Sequence, residues 1–147
     1  MQKLAQDWRE FIALLNSHQV KYLIVGGYAV AYHGYPRTTG DIDFFVEISA
    51  ENAHRIKSVI DDFGFGSLGL TTDDFLQANK VIQLGYPPNR IDIITTISGV
   101  TFAQAWADRV EDELDGIKVA FIGKKTLLTN KMASGRSKDK ADLDALT

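Results

Sequence analysis

Two aspartates separated by one residue are the first feature of the chain that could do chemistry. Asp41 and Asp43 flank Ile42 at the start of an apolar run that continues to Val46. On a strand, residues i and i+2 point to the same face about 7 Å apart, so the two carboxylates repel each other. A divalent cation with oxygen ligands is the natural partner for such a pair. The alternative is that both acids lie in a solvated turn before the strand, and this segment alone gives the two interpretations equal weight.

A third acid and a pair of glycines add to this pattern. Asp92 interrupts the apolar run at residues 90–94, where a carboxylate is costly unless it faces solvent or a metal. If this strand neighbours the first one, three carboxylates share a face and form a site for two Mg²⁺ ions. An edge strand with one wet face is the alternative. Gly26 and Gly27 join a strand to a helix, which lets backbone N–H groups approach a phosphate, although a diglycine is at least as often an ordinary turn.

Together these residues resemble the polymerase β type nucleotidyltransferase superfamily. The run GGYAVAYHGYPRTTGDIDFFV has the glycine pair of that superfamily and, after thirteen intervening residues, its Asp-x-Asp motif. An isolated hydrophobic-Asp-hydrophobic strand then follows at Asp92. The segment KMASGRSKDKADL, residues 131–143, is similar to the last motif of the minimal branch, which includes abortive-infection toxin nucleotidyltransferases. The combination is specific, whereas no single motif is.

The resemblance implies an enzyme that transfers a nucleoside monophosphate from a triphosphate such as ATP to an acceptor hydroxyl, with release of pyrophosphate. It implies that Asp41, Asp43 and Asp92 are catalytic and hold two Mg²⁺ ions, with Mn²⁺ as an alternative. The resemblance assigns the nucleotide to Gly26, Gly27, Arg37, Thr39 and Lys131. The alternative for Arg37 is a surface ion pair, and the alternative for Lys131 is a solvated side chain.

Two departures from the superfamily concern the substrates. Many relatives have a serine where Gly27 stands, so phosphate contacts here must come from the backbone or from other side chains. Larger relatives also have a helical substrate domain after the catalytic one, and this sequence stops at Thr147. Three classes of acceptor therefore remain open: RNA, protein and a small molecule. A partner protein or a second copy of the chain is a candidate source of the missing surface.

Two other functions remain open at this stage. One is a nucleotide- or partner-binding module with the same fold and no turnover, although the retention of three acids argues against it. The other is a phosphatase of the haloacid dehalogenase type, which uses the first Asp of its motif as a nucleophile. That class wants Thr or Val two residues after the second Asp, where this chain has Phe45. The histidines at 18, 33 and 54 have no metal-ligand spacing.

The elements that must position these residues are helices and strands intermixed along the whole chain. Apolar spacing and capping residues predict helices at residues 4–15, 28–33, 49–62, 72–77 and 101–109, and a last helix from 124 that breaks near Gly135. Apolar runs predict strands at residues 21–25, 42–46, 80–84, 90–95 and 117–122. This order indicates a single α/β (α+β) nucleotidyltransferase domain over residues 1–147, with a mixed sheet flanked by helices and a basic helical segment at about 124–147.

Composition and charge exclude several other classes. The chain has 147 residues and no cysteine, which rules out a disulfide scaffold, thiol chemistry and cysteine-ligated zinc. Its longest apolar run, residues 22–32, is well short of the ~18 residues that suggest a membrane span, so we expect a cytoplasmic protein that does not enter the membrane. Residues 1–117 carry 9 basic and 16 acidic side chains, and residues 118–147 carry 7 and 3. A basic tail suits phosphate, although a solvated helix is the commoner meaning.

Overall fold

The computed structural model describes residues 4–34 and 38–147. Within these residues the helices are α1 (Gln6–Ser17), α2 (Gly26–His33), α3 (Ala50–Ile60), α4 (Phe102–Ala107), α5 (Lys124–Ser134) and α6 (Ser137–Leu146). The strands are β1 (Tyr22–Val25), β2 (Asp41–Val46), β3 (Val81–Leu84), β4 (Arg90–Ile94), β5 (Val110–Leu114) and β6 (Ile117–Phe121). Short helical turns at Asp61–Phe65, Gly66–Leu68 and Thr72–Phe75 connect α3 to β3.

The strands form one mixed sheet in the order β3-β4-β2-β1-β6-β5. β2 pairs in parallel with β4, and β1 pairs in parallel with β6. The β1–β2, β3–β4 and β5–β6 pairs are antiparallel. The prediction of an α/β fold with a mixed sheet and flanking helices is therefore confirmed. The strand that was expected to carry the third acid is the direct neighbour of the strand that carries the first two.

Over its first four residues β2 alternates between a face packed under α1 and a face that is open at this end of the strand, where Asp41 and Asp43 are half-buried; Phe45, two residues on, is buried. Ile42 and Phe44 are fully buried, and the Phe44 ring lies 5.5 Å from the ring of Phe11 in α1. Because successive side chains of a strand point to opposite faces, Asp41 and Asp43 lie on the other face. The apolar core under α1 thus fixes which face of β2 presents its acids.

The N-terminal helix was predicted from its apolar stripe, and the structure accounts for that stripe. The side chains of α1 that face the sheet are buried, namely Trp8, Phe11, Ile12 and Leu15. Full burial of one such side chain stabilises the fold by roughly 1.5–3 kcal/mol. α1 therefore anchors the packed face of the sheet, and the open face is left for the acids.

Some predicted boundaries differ from the structure. β5 was not predicted, because its sequence VEDEL exposes three acids at the edge of the sheet and lacks an apolar run. The helix predicted at residues 72–77 is a shorter turn, Thr72–Phe75. Thr71 caps it, and the Thr71 N–H donates a hydrogen bond to Asp74 at 2.8 Å. The predicted break near Gly135 is confirmed: this residue has φ +64° and separates α5 from α6. None of the helices in the described ranges combines the length and apolar character that a bilayer crossing needs.

Candidate active site

Three carboxylates meet on the open face of the sheet, where β2 and β4 pair. The parallel register sets Asp43 opposite Asp92 and Asp41 opposite Arg90. One oxygen from each of the three aspartates lies within 4.8 Å of the other two. We call Asp41, Asp43 and Asp92 the acidic triad. The structure thus brings together all three of the acids that the sequence singled out.

Asp43 lies in an environment that disfavours its charged form. Burial, followed by the negative charges of Asp41 and Asp92, raises the pKa of Asp43 to about 7. Two carboxylates this close together cannot both ionise without a cost, which a cation between them removes. A cation bound beside Asp43 would therefore lower this pKa.

A guanidinium that the sequence analysis did not assign to the site bridges two of these acids. Arg90 donates from Nε to Asp92 Oδ1 at 2.8 Å and from Nη2 to Asp92 Oδ2 at 2.9 Å. The same Nη2 donates to Asp41 Oδ2 at 2.7 Å. The spacing Arg90-Ile91-Asp92 contained the signal, because residues i and i+2 of a strand share a face.

The donor set of the triad fits a hard divalent cation. Carboxylate oxygens are the ligands that Mg²⁺ and Mn²⁺ prefer in proteins. With all three acids ionised, one guanidinium among them leaves a local charge of −2. This negative charge attracts a divalent cation.

The start of α2 lies directly against Asp43. Gly26 has φ +70°, a conformation that favours glycine. A Cβ added to Gly26 would lie 2.0 Å from Asp43 Oδ2, so a side chain at this position would displace the carboxylate. Val25 precedes the helix and gives no side-chain hydrogen bond to its first turn. No side chain among the described residues therefore caps the first turn of α2, whose N–H groups lie at the end of the helix that favours an anion.

A cavity of about 400 Å³ extends from Asp43 toward the junction of α5 and α6. Sites for small ligands occupy roughly 300–1,000 Å³, so the cavity has the volume for part of a nucleotide. A larger cavity of about 520 Å³, beside Trp106 and Glu111, contains no member of the triad. The lining of the smaller cavity includes Gly26, Asp43, Thr96, Asn130, Lys131 and Arg136.

Lys131 belongs to a buried ionic cluster in the wall of this cavity. Its side chain is only 4% exposed, and its Nζ lies 3.2 Å from Asp139 Oδ1 and 3.1 Å from Asp142 Oδ2. The alternative of a solvated Lys131 is therefore wrong. Because two carboxylates already balance the ammonium charge, Lys131 joins α5 to α6 whatever else it does.

Arg136 is the exposed member of the same cluster. Its side chain is 69% exposed, and its Nε donates to Asp139 Oδ2 at 2.8 Å. Asp139 chiefly raises the pKa of Arg136, and the charge of Asp43 contributes to the same shift. The guanidinium therefore lies within electrostatic range of the triad and is more open to solvent than Lys131.

Two further residues were predicted to bind the nucleotide. Thr39 is half-buried in the coil just before β2, two residues ahead of Asp41, and does not line the cavity beside Asp43. Arg37 lies outside the described residues. Of the described residues that were predicted to bind the nucleotide, Gly26 and Lys131 line the same cavity.

Comparison with known proteins gives the class of the chain. No curated protein matches it. One protein family, described as a nucleotidyltransferase of unknown function (DUF6036), matches residues 2–147. That match includes the glycine pair, the acidic triad and the segment that forms the ionic cluster. The chain therefore belongs to this nucleotidyltransferase family.

Proposed function

We propose that the protein is a metal-dependent enzyme that transfers a nucleoside monophosphate from a nucleoside triphosphate to an acceptor hydroxyl. The observation that carries the proposal is the acidic triad, with one oxygen of each acid within 4.8 Å of the others. The triad lies beside the first turn of α2, where N–H groups suit a phosphate. Membership of a nucleotidyltransferase family supports the same reaction class.

Asp41, Asp43 and Asp92 are the residues that would hold the cations, two Mg²⁺ ions with Mn²⁺ as an alternative. When bound, such ions lower the pKa of the attacking hydroxyl and offset the charge of the leaving group. Asp92 is buried on β4 at the side of the triad away from α2, and we propose that it orients the acceptor hydroxyl and receives its proton. The acceptor oxygen then bonds to the α-phosphorus, the bond to the β-phosphate oxygen breaks, and pyrophosphate leaves with that electron pair.

We assign the triphosphate to the cavity between Gly26 and Arg136. Gly27 has no hydroxyl, so on the α2 side the contacts would come from backbone N–H groups. On the opposite side, the exposed guanidinium of Arg136 supplies the positive charge. Lys131 then acts mainly through Asp139, which holds Arg136 in place. Arg37 and Thr39, on the segment before β2, stay proposals for further phosphate contacts.

The acceptor is open to RNA, protein or a small molecule. The open face beside Asp92 is where a partner protein or a second copy of the chain would complete an acceptor surface. The similarity of residues 131–143 to the last motif of abortive-infection toxin nucleotidyltransferases favours a toxin-like role in the cytoplasm. The combined proposal is a single nucleotidyltransferase domain over residues 1–147 that ends in the basic segment of α5 and α6.

The test is a transfer assay with each of the four α-³²P-labelled ribonucleoside triphosphates, with Mg²⁺ or Mn²⁺ and with EDTA. RNA, protein and small-molecule fractions of a cell extract serve as acceptors. We expect label from one triphosphate to enter one fraction only when metal is present. Asp43→Asn should abolish the transfer. Glu113→Gln is the matched control, because this exposed acid belongs to an acid-x-acid pair on the edge strand β5, away from the triad.

Two results would contradict the proposal. If the protein binds a triphosphate with metal but labels no fraction, it is a nucleotide-binding module without turnover. If label moves equally well with Asp43→Asn, the triad is not the catalytic site.

A further inference from the structure

Arg90 lies where the proposed function requires a metal cation. Its guanidinium makes three hydrogen bonds to the triad: two to Asp92 at 2.8 and 2.9 Å and one to Asp41 at 2.7 Å. Charge-assisted bonds of this kind are stronger than neutral ones. In the protein without metal, Arg90 is therefore the cation that offsets the repulsion among the three carboxylates.

The same oxygens cannot serve both cations equally well. The guanidinium engages Asp41 Oδ2 and both side-chain oxygens of Asp92. A divalent ion bound by these two acids would face a positive charge a few ångströms away in a partly buried site, where screening by water is weak. Binding of the ion therefore competes with these hydrogen bonds and repels the guanidinium.

The position of Arg90 lets its side chain leave without disturbing the core. Arg90 is the first residue of β4, and its side chain is 26% exposed. Lys131, by contrast, is 4% exposed between two helices and has no such freedom. The guanidinium can thus move toward solvent while the β4 backbone keeps its register with β2.

We propose that Arg90 is an internal counter-cation of the acidic triad, which holds the carboxylates together in the absence of metal and is displaced when a divalent ion binds. The inference rests on the proposed function, because it takes the triad to be the metal site, and it adds the residue that sets the metal affinity. Arg90 is a positioning residue. It acts through Asp41 and Asp92, not through the reacting atoms.

The experiment measures metal affinity, not turnover. Mg²⁺ and Mn²⁺ are titrated by calorimetry into wild type, Arg90→Met and Arg90→Lys, with circular dichroism as the check on folding. Arg109→Met is the matched control, since Arg109 has a similar exposure of 30% but pairs with Glu111 at 2.8 Å, away from the triad. Melting temperatures are recorded with and without metal.

We expect Arg90→Met to bind Mg²⁺ about ten-fold more tightly or better, because no charge-assisted bonds have to be broken. Without metal, the melting temperature of Arg90→Met should be lower than that of wild type. Metal should raise the melting temperature of Arg90→Met by more degrees than that of wild type. Arg90→Lys should lie between the two, because a lysine cannot reproduce the two-sided contact of a guanidinium. Arg109→Met should match wild type in metal affinity.

Unchanged or weaker metal binding in Arg90→Met would overturn the inference. If Arg90→Met does not fold without metal, Arg90→Lys is measured in its place. Unchanged or weaker metal binding in Arg90→Lys would then overturn the inference. The proposed function stands in that case, provided that wild type binds metal and Asp43→Asn does not. If wild type binds no divalent ion even with a triphosphate present, the metal site and the proposed function fail together.

Discussion

Asp43 and Asp92 are directly opposed residues of two adjacent parallel strands, β2 and β4. The register between these strands therefore creates the site. A slip of one residue in β4 would turn Asp92 toward the packed face and bring an isoleucine to the open face. Because Ile91 and Ile93 are each 1% exposed in the core, burial of their side chains opposes that slip. The apolar residues of β4 thus specify where its single carboxylate points.

Asp43→Asn is the first prediction. The change removes one of three mutually repelling charges, so without metal the protein should be as stable as wild type or slightly more stable. A gain of about 1 kcal/mol corresponds to roughly 2–4 °C in melting temperature for a chain of this size. Mg²⁺ with a triphosphate should raise the melting temperature of wild type much more than that of the variant. Differential scanning fluorimetry measures both effects, and equal ligand-induced rises would show that Asp43 does not bind the ion.

Gly26→Ala should remove metal and nucleotide binding through Asp43. The new Cβ would lie 2.0 Å from Asp43 Oδ2, so the carboxylate has to move away from the triad. Gly69→Ala is the matched control, because Gly69 has a similar φ of +77° but open space around it. Both variants bear the backbone strain of a positive φ, roughly 1–2 kcal/mol. Calorimetric metal affinity should fall in Gly26→Ala alone, and a similar loss in both variants would attribute the effect to strain.

The three acids of the site and most of the fold are predictable from the sequence, whereas the place of Arg90 among those acids is not. Asp41, Asp43 and Asp92 stood out because charges inside apolar runs need a physical reason. Arg90 was overlooked although it shares a face of β4 with Asp92, since its partner Asp41 comes from another strand. Nothing in the sequence order gives the distance between two strands that are far apart in the chain. β5 was missed for a related reason, because an acidic edge strand has no apolar periodicity to reveal it.

The ion pairs between α5 and α6 are a further feature that sequence patterns do not predict. Lys131 was assigned to the triphosphate from its charge and its motif, but the structure gives its ammonium two carboxylate partners, Asp139 and Asp142. A helix break at Gly135 folds α6 back against α5 and creates these pairs. The break itself was predictable, because glycine ends helices. The burial of the ions was not, since it depends on the packing of both helices.

The acid sensitivity of the fold should depend on Asp139. A hydrogen bond from Arg136, with others from Ser134 and Lys131, holds the pKa of Asp139 well below its ordinary value. The unfolded chain therefore binds more protons at this group near pH ~4, so its contribution to the free energy of unfolding is full above that pH and falls as the pH drops. The Asp139→Asn variant has no carboxylate at this position, so it lacks this contribution to the free energy of unfolding. Urea denaturation between pH 3 and 7 measures the free energy of unfolding of wild type and of Asp139→Asn. The difference between the two should become smaller as the pH falls.

The control for this pH dependence is Asp144→Asn, which changes an exposed acid of the same helix. The free energy of unfolding of Asp144→Asn should differ from that of wild type by nearly the same amount from pH 3 to 7. A difference between wild type and Asp139→Asn that is constant from pH 3 to 7 would contradict the role of ionised Asp139.

The last prediction separates the roles of Lys131 and Arg136. Arg136→Met removes a charge that is 69% exposed, and Asp139 keeps its hydrogen bonds from Lys131 and Ser134, so the stability should fall less than in Lys131→Met. If its guanidinium contacts the triphosphate, affinity for a non-hydrolysable triphosphate with Mg²⁺ should fall about ten-fold or more. Lys131→Met leaves buried carboxylates without their ammonium, which should cost about 3–5 kcal/mol of folding free energy. Lys140→Met, an exposed change on α6, is the control and should alter neither quantity. Urea denaturation and calorimetry measure the two effects separately. Should folded Lys131→Met lose as much triphosphate affinity as Arg136→Met, the two residues act on the nucleotide as one unit and the division of roles is wrong.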